Sequence, residues 1–226
     1  MTPARRILRL AGLTVAGLIG LVAVLLVVYR WVGPPVTPLM LLRLPEAGTI
    51  RRDAVPLDAV AAALPRSVIA SEDNRFCRHH GIDWGAVADA IDDYEEDGRL
   101  RGASTITMQV ARNLFLWPGG GFARKAIEAP LALAIDFLWP KRRIIEVYLN
   151  IAEWGDGIYG AEAAAQAYFR KPAKALTGRE AALLAAVLPN PRRWSPATPT
   201  RYIAGRAGTI QGRIGQLGPL LDCIGD

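Results

Sequence analysis

The chain has 226 residues, 51% of them hydrophobic, with 27 basic and 21 acidic side chains and a formal net charge of +6. Arg5, Arg6 and Arg9 stand before a long apolar run, so from Arg30 onward the balance is only 24 basic to 21 acidic. That balance, with no aromatic-basic stripe, excludes a nucleic-acid-binding protein, while the length suffices for one membrane anchor and one domain with a substantial core.

In chain order, residues 1–10 form a basic N-terminus and residues 11–29 carry no charge. A helix of that length crosses most of the hydrocarbon layer, and the preceding arginines place the N-terminus in the cytoplasm. A cleaved signal peptide shares this layout, but the run is long for one and no small-x-small cleavage pattern follows it. Residues 30–49 read as a Pro-rich membrane-proximal connector, residues 50–200 as the globular domain and residues 201–226 as a short tail. Within the domain, residues 59–64 suggest a short helix ended by Pro65, and residues 84–94 a helix with apolar residues at helical spacing. Six acids between Asp89 and Asp97 are read as a solvated face. Basic residues then dominate: Arg99, Arg101, Arg112, Arg124, Lys125, Lys141, Arg142 and Arg143 against Glu128 and Asp136. Residues 118–121 (PGGG) suggest a flexible loop, and residues 128–139 and 144–151 suggest helices separated by Pro140, with Pro130 in a first turn. Thr177 and Glu180 match a capping box before a buried helix. No alternating strand pattern of useful length occurs, so the expected fold class is mainly α. Cys77 and Cys223, 146 positions apart, are expected not to pair.

Several chemistries lack their signatures. There is no HExxH or cysteine pair for zinc, no GxSxG elbow, no SxxK and no phosphate-binding glycine loop. What remains is carboxylate chemistry beside cations. Residues 71–83 (SEDNRFCRHHGID) follow an apolar segment, and a carboxylate placed there tends to be desolvated and to become a better proton acceptor. Taken alone, it reads equally as an acidic turn. Residues 102–113 (GASTITMQVARN) bring Ser104, Thr105, Thr107 and Gln109 together before Arg112 and Asn113. Such a string suits many-point hydrogen bonding to sugar or phosphate, or simply begins a helix. Arg124, Lys125 and Glu128 form a third group that reads equally as a surface ion pair, and residues 141–150 (KRRIIEVYLN) a fourth that reads equally as an amphipathic helix.

In this order the four segments resemble the glycosyltransferase domain of peptidoglycan polymerases, in particular the monofunctional biosynthetic peptidoglycan transglycosylases. The likeness runs over residues 66–196 and rests on Glu72, Asp73, Phe76, His79, Gly81 and Asp83, on residues 102–107 with Gln109 and Asn113, on Arg124, Lys125 and Glu128, and on Lys141, Ile144, Glu146, Tyr148, Leu149 and Asn150. The resemblance implies a lysozyme-like helical domain that polymerises lipid II into β-1,4 glycan strands with inversion. It implies Glu72 as general base, with Arg112, Arg124 and Lys125 on the departing pyrophosphate. Glu128 is expected as a second catalytic carboxylate that positions Lys125, binds the donor or holds a divalent cation on the pyrophosphate. Ser104, Thr105, Gln109 and Asn113 are expected to bind substrate, and Asp73, Phe76, His79, Gly81 and Asp83 to shape the loop. No tightly bound cofactor and no protein metal site is expected, although a divalent cation (Mg or Mn) on the pyrophosphate fits the chemistry. The expected partners are lipid II, the nascent strand, membrane lipid and a separate transpeptidase or division protein. The expected location is a bacterial inner membrane, crossed once, with the domain outside. The sequence departs from the family pattern at Met108, Arg112 and Gly120. A lytic hydrolase using Glu72 as acid and an inactive lipid II-binding scaffold are the competing readings. The cationic stretch disfavours the first, and Met108 and Gly120 keep the second open.

Overall fold

The computed structural model describes residues 3–98, 102–119 and 121–225, and among them the fold is helical with one small sheet. Helix α1 (Pro3–Tyr29) is exposed along its length except near Leu26, and is long and apolar enough to cross a membrane. Its C-terminal end is fastened to the domain. Trp139 Nε1 donates to the Leu26 carbonyl at 2.7 Å, and Arg143 donates to the Tyr29 carbonyl through Nε at 3.0 Å and Nη2 at 2.9 Å. These bonds satisfy helix-end carbonyls that have no intrahelical partner.

Helix α2 (Pro38–Ala47) is capped by Thr37 and buries Met40. Helix α3 spans Ala63–Glu72, so Pro65 lies in its first turn instead of ending an earlier helix. An N-terminal proline costs nothing there, because its missing N–H would have had no acceptor. Helix α4 (Trp84–Asp97) extends the expected segment, yet Trp84, Ile91 and Tyr94 are exposed and Ala90 is its one buried hydrophobic side chain among those described. Helices α5 (Ile106–Phe115), α6 (Gly121–Leu138) and α7 (Lys141–Ile151) follow. Pro130 falls inside α6 and not in a first turn. Both Pro130 and Ala126, whose carbonyl it leaves unpaired, are exposed, which makes the lost bond tolerable.

The fold is mainly helical as expected, and the helices are accompanied by a small three-stranded sheet. It has β1 (Arg51–Arg52) parallel to β3 (Ile158–Tyr159), which is antiparallel to β2 (Glu153–Gly155). Strands of two or three residues are too short to leave a legible alternation. Helices α8 (Ala161–Phe169), α9 (Gly178–Val187) and α10 (Arg201–Leu217) complete the domain. The capping box at Thr177 and Glu180 is present. Every residue from Ala181 to Val187 is buried, so α9 is the hub of the core, with α3 and α10 packed against it. The segment read as a tail thus lies on the core through Ile203, Ala207 and Ile210. The expectation of unpaired cysteines is also overturned. Cys77 and Cys223 form a disulfide with Cα atoms 5.5 Å apart. The fold brings the 3₁₀ segment Gly218–Ile224 back to the acidic loop, a long-range return that cysteine spacing does not encode.

Candidate active site

Glu72 is the last residue of α3, and its side chain is 15% exposed. Three groups hold its carboxylate. Gln109 Nε2, from α5, donates to Oε2 at 3.1 Å, and Tyr148 in α7 orients that amide by donating its hydroxyl to Gln109 Oε1 at 3.1 Å. Ser71 Oγ donates to Oε1 at 3.2 Å. Burial, reinforced by Glu72 and opposed by Arg112, pushes the Tyr148 hydroxyl far above its ordinary value, so it stays a neutral donor.

Each of two cavities is lined by one member of the hydrogen-bonded Glu72–Gln109 pair. Gln109 lines the first, of about 260 Å³, together with Arg112, Asn113, Gly119, Arg124, Tyr148 and Glu153. Glu72 lines the second, of about 350 Å³, with Ser71, Arg75, Asp83, Ser104, Thr105 and Arg213. The first cavity is built for an anion. Burial lowers the proton affinity of both Arg112 and Arg124, and Arg112 lowers that of Arg124 further. Arginine remains a cation even so, and two guanidiniums that disfavour each other are relieved by an anion placed between them. Arg124 is itself held by the Glu128 carboxylate, one turn along α6, and by the Gly119 carbonyl.

The structure sorts the expected site residues into groups. Gln109, Arg112, Asn113 and Arg124 line one cavity, while Glu72, Ser104 and Thr105 line the other. Glu128 is 1% exposed and pairs with Arg124. Lys125 is exposed and does not line either cavity. The remaining motif residues bind one another. Asp73 accepts from His79 Nε2 with both oxygens at 2.9 Å, and from the Ile106 N–H at 2.9 Å, which ties the acidic loop to the start of α5. Thr105 caps α5 and donates to the Gly81 carbonyl at 2.6 Å. Phe76 is fully buried beside His79, with Lys141 Nζ 4.8 Å over its ring and donating to the His79 carbonyl at 2.7 Å. Asp83 caps α4. Met108 is 7% exposed and packs in the core cluster, and Gly120 lies outside the described residues.

Sequence reading named Tyr148 as a motif residue without giving it a role, and did not single out Glu153, Arg206 or Arg213 for this site. Tyr148 carried a signal as the polar end of an otherwise apolar helix face; the two arginines repeat seven apart on one face of α10. Among the described residues, no three His, Cys, Asp or Glu side chains come together as ligands, and Glu128 is taken by Arg124.

Comparison with known proteins identifies the family. Residues 41–214 match the family described as Transglycosylase. The chain is similar to proteins named biosynthetic peptidoglycan transglycosylase from three sources. It is 59% identical to that of Rhodospirillum centenum over 210 residues (92% of this chain, 91% of the relative). It is 49% identical to that of Rhodopseudomonas palustris (92% and 89%) and 44% identical to that of Caulobacter vibrioides (97% of each). With the match running from within α2 to Ile214 in α10, well over half of the chain, the chain belongs to the transglycosylase family.

Proposed function

We propose that this chain is a peptidoglycan glycosyltransferase that polymerises lipid II, using Glu72 as general base and the Arg112–Arg124 pair as the pyrophosphate site. The observation that carries the reading is the placement of Glu72, which lines one polar cavity while its carboxylate is held by Gln109, a residue lining the arginine-lined one. The growing strand, with its polyprenyl pyrophosphate, occupies the first cavity and the incoming unit the second. Glu72 takes the proton from the incoming 4-hydroxyl as its oxygen attacks the anomeric carbon. The bond from that carbon to pyrophosphate breaks, its electron pair leaves with the phosphate oxygen, and the developing charge meets Arg112 and Arg124. Attack from the face opposite the leaving group inverts the anomeric centre. A divalent cation taking part would be held by the pyrophosphate's own oxygens.

The surface supports a membrane-bound site. Ile127, Leu133 and Phe137 line one exposed side of α6, with Phe137 88% exposed, and Leu41 and Leu42 of α2 are also bare. Apolar side chains this exposed mark contact with lipid. The domain would face away from the cytoplasm, where its lipid-linked substrate is presented and a separate transpeptidase or division protein could receive the strands.

The test is to incubate purified full-length protein in detergent micelles with lipid II and resolve the products by length. Wild type should yield long strands, and Glu72→Gln none, while melting within about 2 °C of wild type and still retaining lipid II. Polymer made by Glu72→Gln at near the wild-type rate removes Glu72 from the mechanism. Shortening of preformed strands would favour a hydrolase instead.

A further inference from the structure

Arg206, on α10, reaches the Glu72 carboxylate from an element that carries none of the four motifs. Its Nη2 donates to Ser71 Oγ at 3.1 Å and stands 4.0 Å from Glu72 Oε1. Ser71 Oγ has one proton and two acceptors in reach, Glu72 Oε1 at 3.2 Å and the Ala185 carbonyl at 3.4 Å. Since Arg206 occupies a lone pair of the hydroxyl, the proton is turned away from the guanidinium, toward those acceptors, of which the anionic carboxylate is the nearer and the stronger. The guanidinium is no solvated surface charge. Its side chain is 29% exposed, and its Nε is buried without a hydrogen-bond partner among the described residues, which costs stability unless the cation serves another end.

We propose that Arg206 is a positioning residue for Glu72, acting chiefly through Ser71 Oγ. The proposal rests on reading Glu72 as the base. A direct bidentate Arg–Glu pair would occupy both carboxylate oxygens and compete with the substrate hydroxyl. Interposing Ser71 leaves one lone pair on each oxygen open toward the cavity while fixing the plane of the group. With Gln109 on Oε2 and Ser71 on Oε1, the carboxylate is held from both ends, by α5 and, through Ser71, by α10. A positioning role of this kind acts on turnover and not on substrate affinity.

The experiment measures kcat and KM for lipid II polymerisation by the full chain with Ser71→Ala, Arg206→Met, both together, Arg206→Lys and Glu72→Gln. Ser71→Ala and Arg206→Met should each lower kcat about tenfold, with KM within about twofold of wild type. The double variant should lose little more than Arg206→Met alone, because both changes break one link. Arg206→Lys, which restores a cation on a flexible stem, should recover part of the kcat. Either single variant with kcat within about twofold of wild type, a loss confined to KM, or a fully multiplicative double variant overturns the proposal. If Arg206→Met does not fold by thermal melting, Ser71→Ala decides by the same criteria. An active Glu72→Gln would overturn the reading of the base, and the inference with it. An inactive Glu72→Gln beside wild-type-like Ser71→Ala and Arg206→Met would overturn the inference alone.

Discussion

Glu153 shows how one half-buried side chain sets a pH dependence. It lines the arginine-lined cavity from β2, and its Oε1 is buried with no hydrogen-bond partner among the described residues. Burial holds its carboxyl above the ordinary carboxylate value, against the pull of Arg43 and Arg192. Between the ordinary and the raised value the folded state keeps a proton that the unfolded chain has lost. The stability this contributes is therefore complete in acid and is lost as pH rises through the raised value. Glu153→Gln, a permanently neutral mimic, should melt close to wild type near pH 4 and above it near pH 8, read from thermal unfolding at both values. A variant that melts below wild type near pH 8 would mean that the arginines, not burial, dominate the site. Residue types alone could not reveal this. Glu153 reads as one more surface acid until the fold places it under α2, beside the cavity.

The acidic loop and its neighbours carry the lesson at the level of elements. The helices α5, α7 and α9 were legible because their apolar residues recur at helical spacing and their caps are spelled out by Thr105, Thr177 and Glu180. Both prolines misled for one physical reason. A proline marks an absent N–H, and whether that absence matters depends on neighbours that the sequence does not show, so Pro65 opens α3 and Pro130 sits inside α6. The site was legible where chemistry is concentrated in short segments, as at Glu72, Gln109 and Arg112. It was illegible where a lone residue arrives from far along the chain, as Arg206 does. Gly81 joins the two levels. Its φ is +80°, and a Cβ added there would stand 2.6 Å from the Ala132 carbonyl oxygen of α6. Gly81→Ala must therefore adopt a left-handed backbone and push α6 away from the loop. We expect a loss of about 3 kcal/mol or more in unfolding free energy, measured by denaturant titration, and a reduced kcat. Loss below about 1 kcal/mol would show that the loop and α6 move apart freely.

Across the whole molecule, two long-range ties define the assembly. Trp139 and Arg143 clasp the end of α1, so the domain is attached to this helix by hydrogen bonds as well as by chain. The disulfide from Cys77 to Cys223 closes a span of 146 residues around nearly the entire domain. By loop entropy a closure of that length stabilises the fold by roughly 4 to 5 kcal/mol. Reduction, or Cys223→Ser, should lower unfolding free energy by an amount of that order, and a change under about 1 kcal/mol would mean that packing alone holds the segment in place. The tie also imposes an order on biogenesis. The loop that carries Glu72 begins within the first half of the chain, but its clasp waits for a residue 146 positions later. With the domain outside the membrane as proposed, a partly exported chain cannot close it, and a thiol-reducing cytoplasm does not allow it. Under that proposed topology, oxidation would complete the bracing of the acidic loop only once α10 and the segment after it had been exported.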